Sequence, residues 1–130
     1  MFTKSIRLVA PLAIGAFALA ANVSPAMAKG GDIRVAGKCS GSSTSSLKLG
    51  PRPTDHLTQV EWDVEHAAPG SVWKMTIADN GVVVLRANRT ASATGNVVAR
   101  VNRPGASGHA IAVSAVNAAS TERCTARASD

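Results

Sequence analysis

Beyond Lys29, the dominant period of apolar and polar residues is two, the period of strands with one buried and one wet face. Ile33, Val35 and Cys39 alternate with Asp32, Arg34 and Lys38, which predicts a first strand. A Gly/Ser/Thr loop over 41–46 leads to a short second strand, Leu47-Lys48-Leu49, ended by Pro51-Arg52-Pro53. The clearest strand runs from Thr58 to His66, with Val60, Trp62 and Val64 on one face and Gln59, Glu61, Asp63 and Glu65 on the other. Pro69-Gly70 makes a turn, after which Trp73, Met75 and Ile77 share a face opposite Val72, Lys74 and Thr76.

Asp79-Asn80-Gly81 then closes a hairpin whose register can be argued from matching faces. A two-residue Asn-Gly loop sets Ile77 opposite Val84 and Met75 opposite Arg86. A three-residue loop sets Ile77 opposite Val83, Met75 opposite Leu85 and Trp73 opposite Ala87, pairing apolar with apolar. The expectation is therefore a type I turn with Gly81 in the left-handed region and a G1 bulge. Val97, Ala99 and Val101, then Ile111, Val113 and Ala115, mark two more strands, and a last one begins near Cys124. The alanine-rich stretch from Ala110 to Ala119 could be read as helix, but Ile, Val and Ser at alternate places favour strand. Seven to eight short strands with frequent turns predict an all-β chain, an antiparallel immunoglobulin-like β-sandwich, with a small barrel as the competing architecture.

The N-terminus follows other rules. Lys4 and Arg7 precede 14 uncharged residues, Leu8 to Ala21, and Ala26-Met27-Ala28 supplies a small-x-small site before Lys29. That pattern predicts a secretory signal peptide over 1–28, cleaved to leave a domain over 29–130. The apolar run is too short for a membrane span, so no span is expected after cleavage. The end of the chain, Ala126-Arg127-Ala128-Ser129-Asp130, carries no hydrophobic tail, and free secretion, extracellular or at the cell envelope, is the expected localisation.

Composition sharpens this picture. Removing 28 of the 130 residues leaves 102, enough for one small domain. The formal charge drops from +6 to +4, because Lys4 and Arg7 leave with the signal. Phe2 and Phe17 leave as well, so the core must be built from aliphatic side chains around Trp62 and Trp73. The two cysteines, Cys39 and Cys124, are expected to form one structural disulfide between the terminal strands, because an exported chain meets an oxidising compartment. Abundant Ala, Gly, Val and Arg points to a GC-rich, bacterial coding sequence.

Candidate chemistry is thin, and no catalytic, cofactor-binding or metal-binding residue is assigned. His56, His66 and His109 are read as strand-end or loop residues; no Gly-x-Ser-x-Gly elbow accompanies Asp55-His56. No two histidines stand at a chelating spacing. Glu61, Asp63 and Glu65 read as a solvated strand face, paired across to Lys74 or Arg86; acid–base work would require an environment that splits their pKa values. Arg86, Arg89, Arg100 and Arg103 form a possible basic patch for anionic polymers. Specific nucleic-acid binding is not expected, because both tryptophans are in phase with the core and leave no stacking platform.

Taken in order, Gly37-Lys38-Cys39, Leu47-Lys48-Leu49, Val60-Glu61-Trp62-Asp63-Val64, Gly70-Ser71-Val72-Trp73, Asp79-Asn80-Gly81 and late Cys124 resemble a group of small secreted proteins of high-GC Gram-positive bacteria. The resemblance spans the whole domain and implies export, one domain and one disulfide, with no activity attached. The expected function is a secreted, non-enzymatic interaction or structural module, with a protein or envelope component as partner. The alternatives are a small secreted hydrolase or hydrolase inhibitor using loops around His56 or His109, and an envelope binder acting through the arginines.

Overall fold

The computed structural model describes residues 31–130 and the backbone of Ala26–Met27. The rest of the predicted signal peptide lies outside the described residues. Among the described residues there are ten strand segments: β1 (Ala26–Met27), β2 (Ile33–Ala36), β3 (Lys38–Cys39), β4 (Thr44–Arg52), β5 (Leu57–Glu65), β6 (Val72–Asp79), β7 (Val82–Thr90), β8 (Val97–Pro104), β9 (Ala110–Asn117) and β10 (Arg123–Ser129). They form two antiparallel sheets, A in the order β1-β2-β4-β5-β8 and B in the order β3-β10-β9-β6-β7. The all-β sandwich expected from the alternation is present, and the stretch from Ala110 is strand, not helix.

The predicted first strand is one extended segment that changes sheets at Gly37. Its first half pairs with β4 in sheet A and its second half with β10 in sheet B. Gly37 donates its N–H to the Ser45 carbonyl at 2.9 Å. A Cβ there would run into the Ser45 side chain and lie 2.9 Å from the Thr125 carbonyl oxygen, so the crossing needs a residue with no side chain. Strand order departs from that of antibody domains: β4 and β5 are a hairpin within one sheet, whereas the second and third strands of an antibody domain lie in different sheets.

Two local expectations are corrected. β4 is nine residues long and runs through Pro51, which pairs with Thr58. The pairing of β2 with β4 ends at Ile33–Leu49, so beyond Leu49 β4 has an open side, the setting in which a strand tolerates proline. The β6–β7 loop has two residues, not three. Asn80 (φ 51°) and Gly81 (φ 85°) both take positive φ, the signature of a type I′ turn. A bulge beside Ile77/Ala78 then sets Ile77 opposite Leu85 and Met75 opposite Ala87. The extra residue, Val84, restores the apolar face that an unbulged two-residue loop would have exchanged.

Between the sheets lie Leu47, Leu49, Val60, Trp62 and Val64 from sheet A, and Trp73, Met75, Ile77, Ala115 and Cys124 from sheet B, all with no exposed surface. The Trp62 indole N–H donates to the Ser114 carbonyl of the opposite sheet at 3.1 Å, so one of the two core tryptophans also carries a polar tie between the layers. Cys39 and Cys124 are bonded. They are direct partners on β3 and β10, with Cα atoms 4.0 Å apart, so the bridge staples the two terminal strands within sheet B.

Candidate functional site: the outer faces of the sandwich

The sandwich separates the four singled-out arginines. Arg86 and Arg89 lie on β7, the edge of sheet B; Arg100 and Arg103 lie on β8, the edge of sheet A. Arg103 is in phase with the buried Val97 and Ala99, and its Nε donates to Asp79 at 3.0 Å. Arg100 projects from the outer face of sheet A, 3.5 Å from Glu61. Only Arg86 and Arg89 share a strand and stand exposed.

Each histidine has a place in the hydrogen-bonding of the fold. His109 is buried; its Nδ1 lies 2.8 Å from Asp79 Oδ2 and its Nε2 lies 2.8 Å from the Gly105 carbonyl. Burial alone would lower the imidazole pKa, but those two bonds and the charges of Asp79 and Asp130 outweigh it and raise it above 6.5. The protonated ring donates at both nitrogens. Burial likewise opposes ionisation of Asp79, yet Arg103 and His109 hold its carboxyl below the usual 3.8. The single Thr58 hydroxyl proton is shared between the Gly105 carbonyl at 2.9 Å and the Asp130 carboxylate at 3.2 Å, and Asp130 accepts the His109 backbone N–H at 2.8 Å. Asp79, Arg103, Thr58, His109 and Asp130 thus form a network that the expected loop placement of His109 does not contain. His66 Nδ1 lies 3.1 Å from Thr44 Oγ1, and His56 takes positive φ after the turn Pro53–Asp55.

On the outer face of sheet A, register aligns Arg34, Lys48, Glu61 and Arg100 in one row across four strands. Glu61 therefore pairs with Lys48 (3.9 Å) and Arg100 (3.5 Å), not with Lys74 or Arg86, which belong to the other sheet. Burial opposes ionisation of Glu61, but a hydrogen bond with Asp63 and the charges of Arg100 and Lys48 leave its pKa below 4.5. Asp63 moves the other way, to about 6, through burial, the hydrogen bond with Glu61 and the charges of Glu61 and Glu65, against Arg100. Folding thus favours the protonated Asp63, and its contribution to stability falls as pH rises from 3.8 through about 6. Asp63→Asn is expected to remove that limb and raise the melting temperature at pH 7. An unchanged difference in Tm between pH 4 and pH 7 would count against it.

The outer face of sheet B is different in kind. Its outward positions are Lys38 on β3; Arg123, Thr125, Arg127 and Ser129 on β10; and Ala110, Ala112, Ser114 and Val116 on β9. Val72, Lys74, Thr76 and Ala78 on β6, with Arg86, Asn88 and Thr90 on β7, complete it. Lys38, Lys74, Arg86, Arg123 and Arg127 are exposed, and no carboxylate shares the face. The acidic residues of the described domain lie elsewhere: on sheet A, in loops, at the terminus, or buried as Asp79. Attraction to anions there meets no internal competitor.

Among the described residues, one grouping has metal-ligand spacing: Cys39, Glu122 and Cys124. Its sulfurs are bonded to each other, and Ser43 holds the carboxylate through its N–H (3.0 Å) and hydroxyl (3.1 Å). No helix among the described residues is long and apolar enough to cross a membrane. Comparison with known proteins finds no matching family model, no curated relative and no similar solved structure.

Proposed function

We propose that the chain is an exported, non-catalytic binding module that holds an anionic partner at the cell envelope or beyond it, through the outer face of sheet B. One observation carries the reading: five exposed cations from four strands occupy a face without a single carboxylate. The signal-like pattern over 1–28, the disulfide and the resemblance to small secreted proteins of high-GC Gram-positive bacteria support the exported setting. A hydrolase built around His109 has less support. The ring spends one nitrogen on Asp79 and the other on a backbone carbonyl, leaving neither for a serine nucleophile.

The test is retention of the purified protein on an anionic resin across a salt gradient. Lys74→Glu, Arg86→Glu and Arg123→Glu combined should shift elution to much lower salt, since surface attraction is screened within about 10 Å at 0.1 M. Arg34→Glu, Arg52→Glu and Arg100→Glu combined, the same change of net charge on the opposite face, should shift it less. Equal shifts for the two sets would mean that net charge alone governs retention, and would overturn the assignment.

A further inference from the structure

We infer that the anionic partner is an acidic polysaccharide lying across the strands of sheet B, an inference that rests on reading this face as the anion-binding surface. Register places Lys38, Thr125, Ser114, Thr76 and Arg86 in one straight row over all five strands. A cation stands at each end, with three hydroxyl side chains between. The flanking row holds Arg123, Val116, Lys74 and Asn88. Strands are spaced about 4.8 Å apart and same-face neighbours along a strand about 6.8 Å. The backbone positions of Lys38, Arg123, Lys74 and Arg86 therefore follow one another across the sheet at roughly 8–10 Å.

That spacing selects among anions. A single phosphate would need several donors converging within hydrogen-bond distance of it, whereas these cations are spread over the full width of the sheet. Duplex DNA presents a charge every ~1.7 Å of axis, far denser than this row. Single-stranded nucleic acid is read by stacking on aromatics, and both tryptophans have no exposed surface. Insertion into a membrane surface uses large apolar anchors, whereas this face carries Thr, Ser, Ala and Val between the cations. A chain of sugars with acid groups at intervals matches both features. Its ring hydroxyls meet the hydroxyls of Thr76, Ser114 and Thr125, and its carboxylates meet the lysines and arginines.

The probes are polygalacturonate, neutral dextran, poly-glutamate and phosphatidylglycerol vesicles, titrated against the purified protein at fixed low salt. Polygalacturonate should bind and dextran should not. The Lys74→Glu, Arg86→Glu, Arg123→Glu variant should weaken polygalacturonate by about tenfold or more, as expected when several surface ion pairs are lost together. The Thr76→Val, Ser114→Ala, Thr125→Val variant keeps every charge and should weaken polygalacturonate while leaving poly-glutamate unchanged. If that variant binds polygalacturonate as wild type does, or if vesicles bind as tightly as polygalacturonate, the polysaccharide assignment falls and the anion-binding reading stands. If no polyanion responds to the charge variant, both fall.

Discussion

The double variant Cys39→Ala, Cys124→Ala is expected to lose roughly 4–5 kcal/mol of unfolding free energy by the chain-entropy treatment of a closed loop. The bridge joins residues 85 positions apart, so nearly the whole domain lies inside the loop it closes. A single domain of this size is typically stable by about 5–15 kcal/mol, which makes the loss a large fraction of the whole. Packing adds to it, because Cys124 is fully buried and alanine leaves the sulfur's volume empty.

The local consequence follows from how little else holds β3. It is two residues long, and its partners are Cys124 and Thr125. The neighbouring loop keeps its own ties: Ser40 N–H to the Arg123 carbonyl at 2.9 Å, Arg123 N–H to the Ser40 hydroxyl at 3.0 Å, and Ser43 to Glu122. The variant should therefore remain a sandwich that frays first at its stapled corner. Denaturant unfolding measures the stability, and amide exchange at Lys38 and at position 39 the fraying. A loss below about 1 kcal/mol would show that the entropic treatment does not apply to this domain. Alanine at both positions matters, since a single replacement leaves a thiol free to cross-link copies.

What the sequence made legible was periodic and local. The inward sets Val60/Trp62/Val64 and Trp73/Met75/Ile77 are buried as their alternation demanded. The β6–β7 hairpin shows why a wrong loop can still give right faces: a two-residue turn with one bulged residue and a three-residue loop differ by an even shift, and period two is blind to it. Strand neighbours were not legible, because pairing between distant segments leaves no mark on local alternation. The basic face depends on that pairing. Lys38, Lys74, Arg86, Arg123 and Arg127 are ordinary outward residues until β3, β10, β9, β6 and β7 are known to share a sheet. The buried network, by contrast, did leave a signal. Asp79 continues the inward series Trp73, Met75, Ile77, and Arg103 continues Val97, Ala99, Val101. Two charged residues in core phase at strand ends imply that they meet, so phase places Arg103 at the core margin where charge alone suggests a surface patch.

That network supports the second large effect. Asp79→Ala is expected to cost about 3–5 kcal/mol, the range for removing one partner of a buried ion pair. The carboxylate accepts from Arg103 and His109 on a single oxygen, Oδ2, while Oδ1 is buried without a hydrogen-bond partner among the described residues. Without it, Arg103 can turn toward solvent, but His109 is only 6% exposed and stays beside the Gly105 carbonyl. His109→Ala should cost less, because Asp79 keeps Arg103. The pH dependence separates an ion pair from mere packing. His109 has its pKa raised above 6.5, so its contribution is complete below 6.5 and is lost as pH rises through the folded value. Asp79 has its pKa lowered below 3.8, so its contribution is complete above 3.8 and is lost as pH falls through the folded value. The gap in stability between wild type and Asp79→Ala should therefore be widest from pH 3.8 to 6.5 and narrow on both sides. Asp63, on the other sheet, titrates alike in both proteins and cancels in the difference. Imidazole titration by NMR gives an independent reading, with the His109 pKa falling in the variant. A gap that stays constant with pH, beside an unshifted His109, would reduce Asp79 to a shape that fills space.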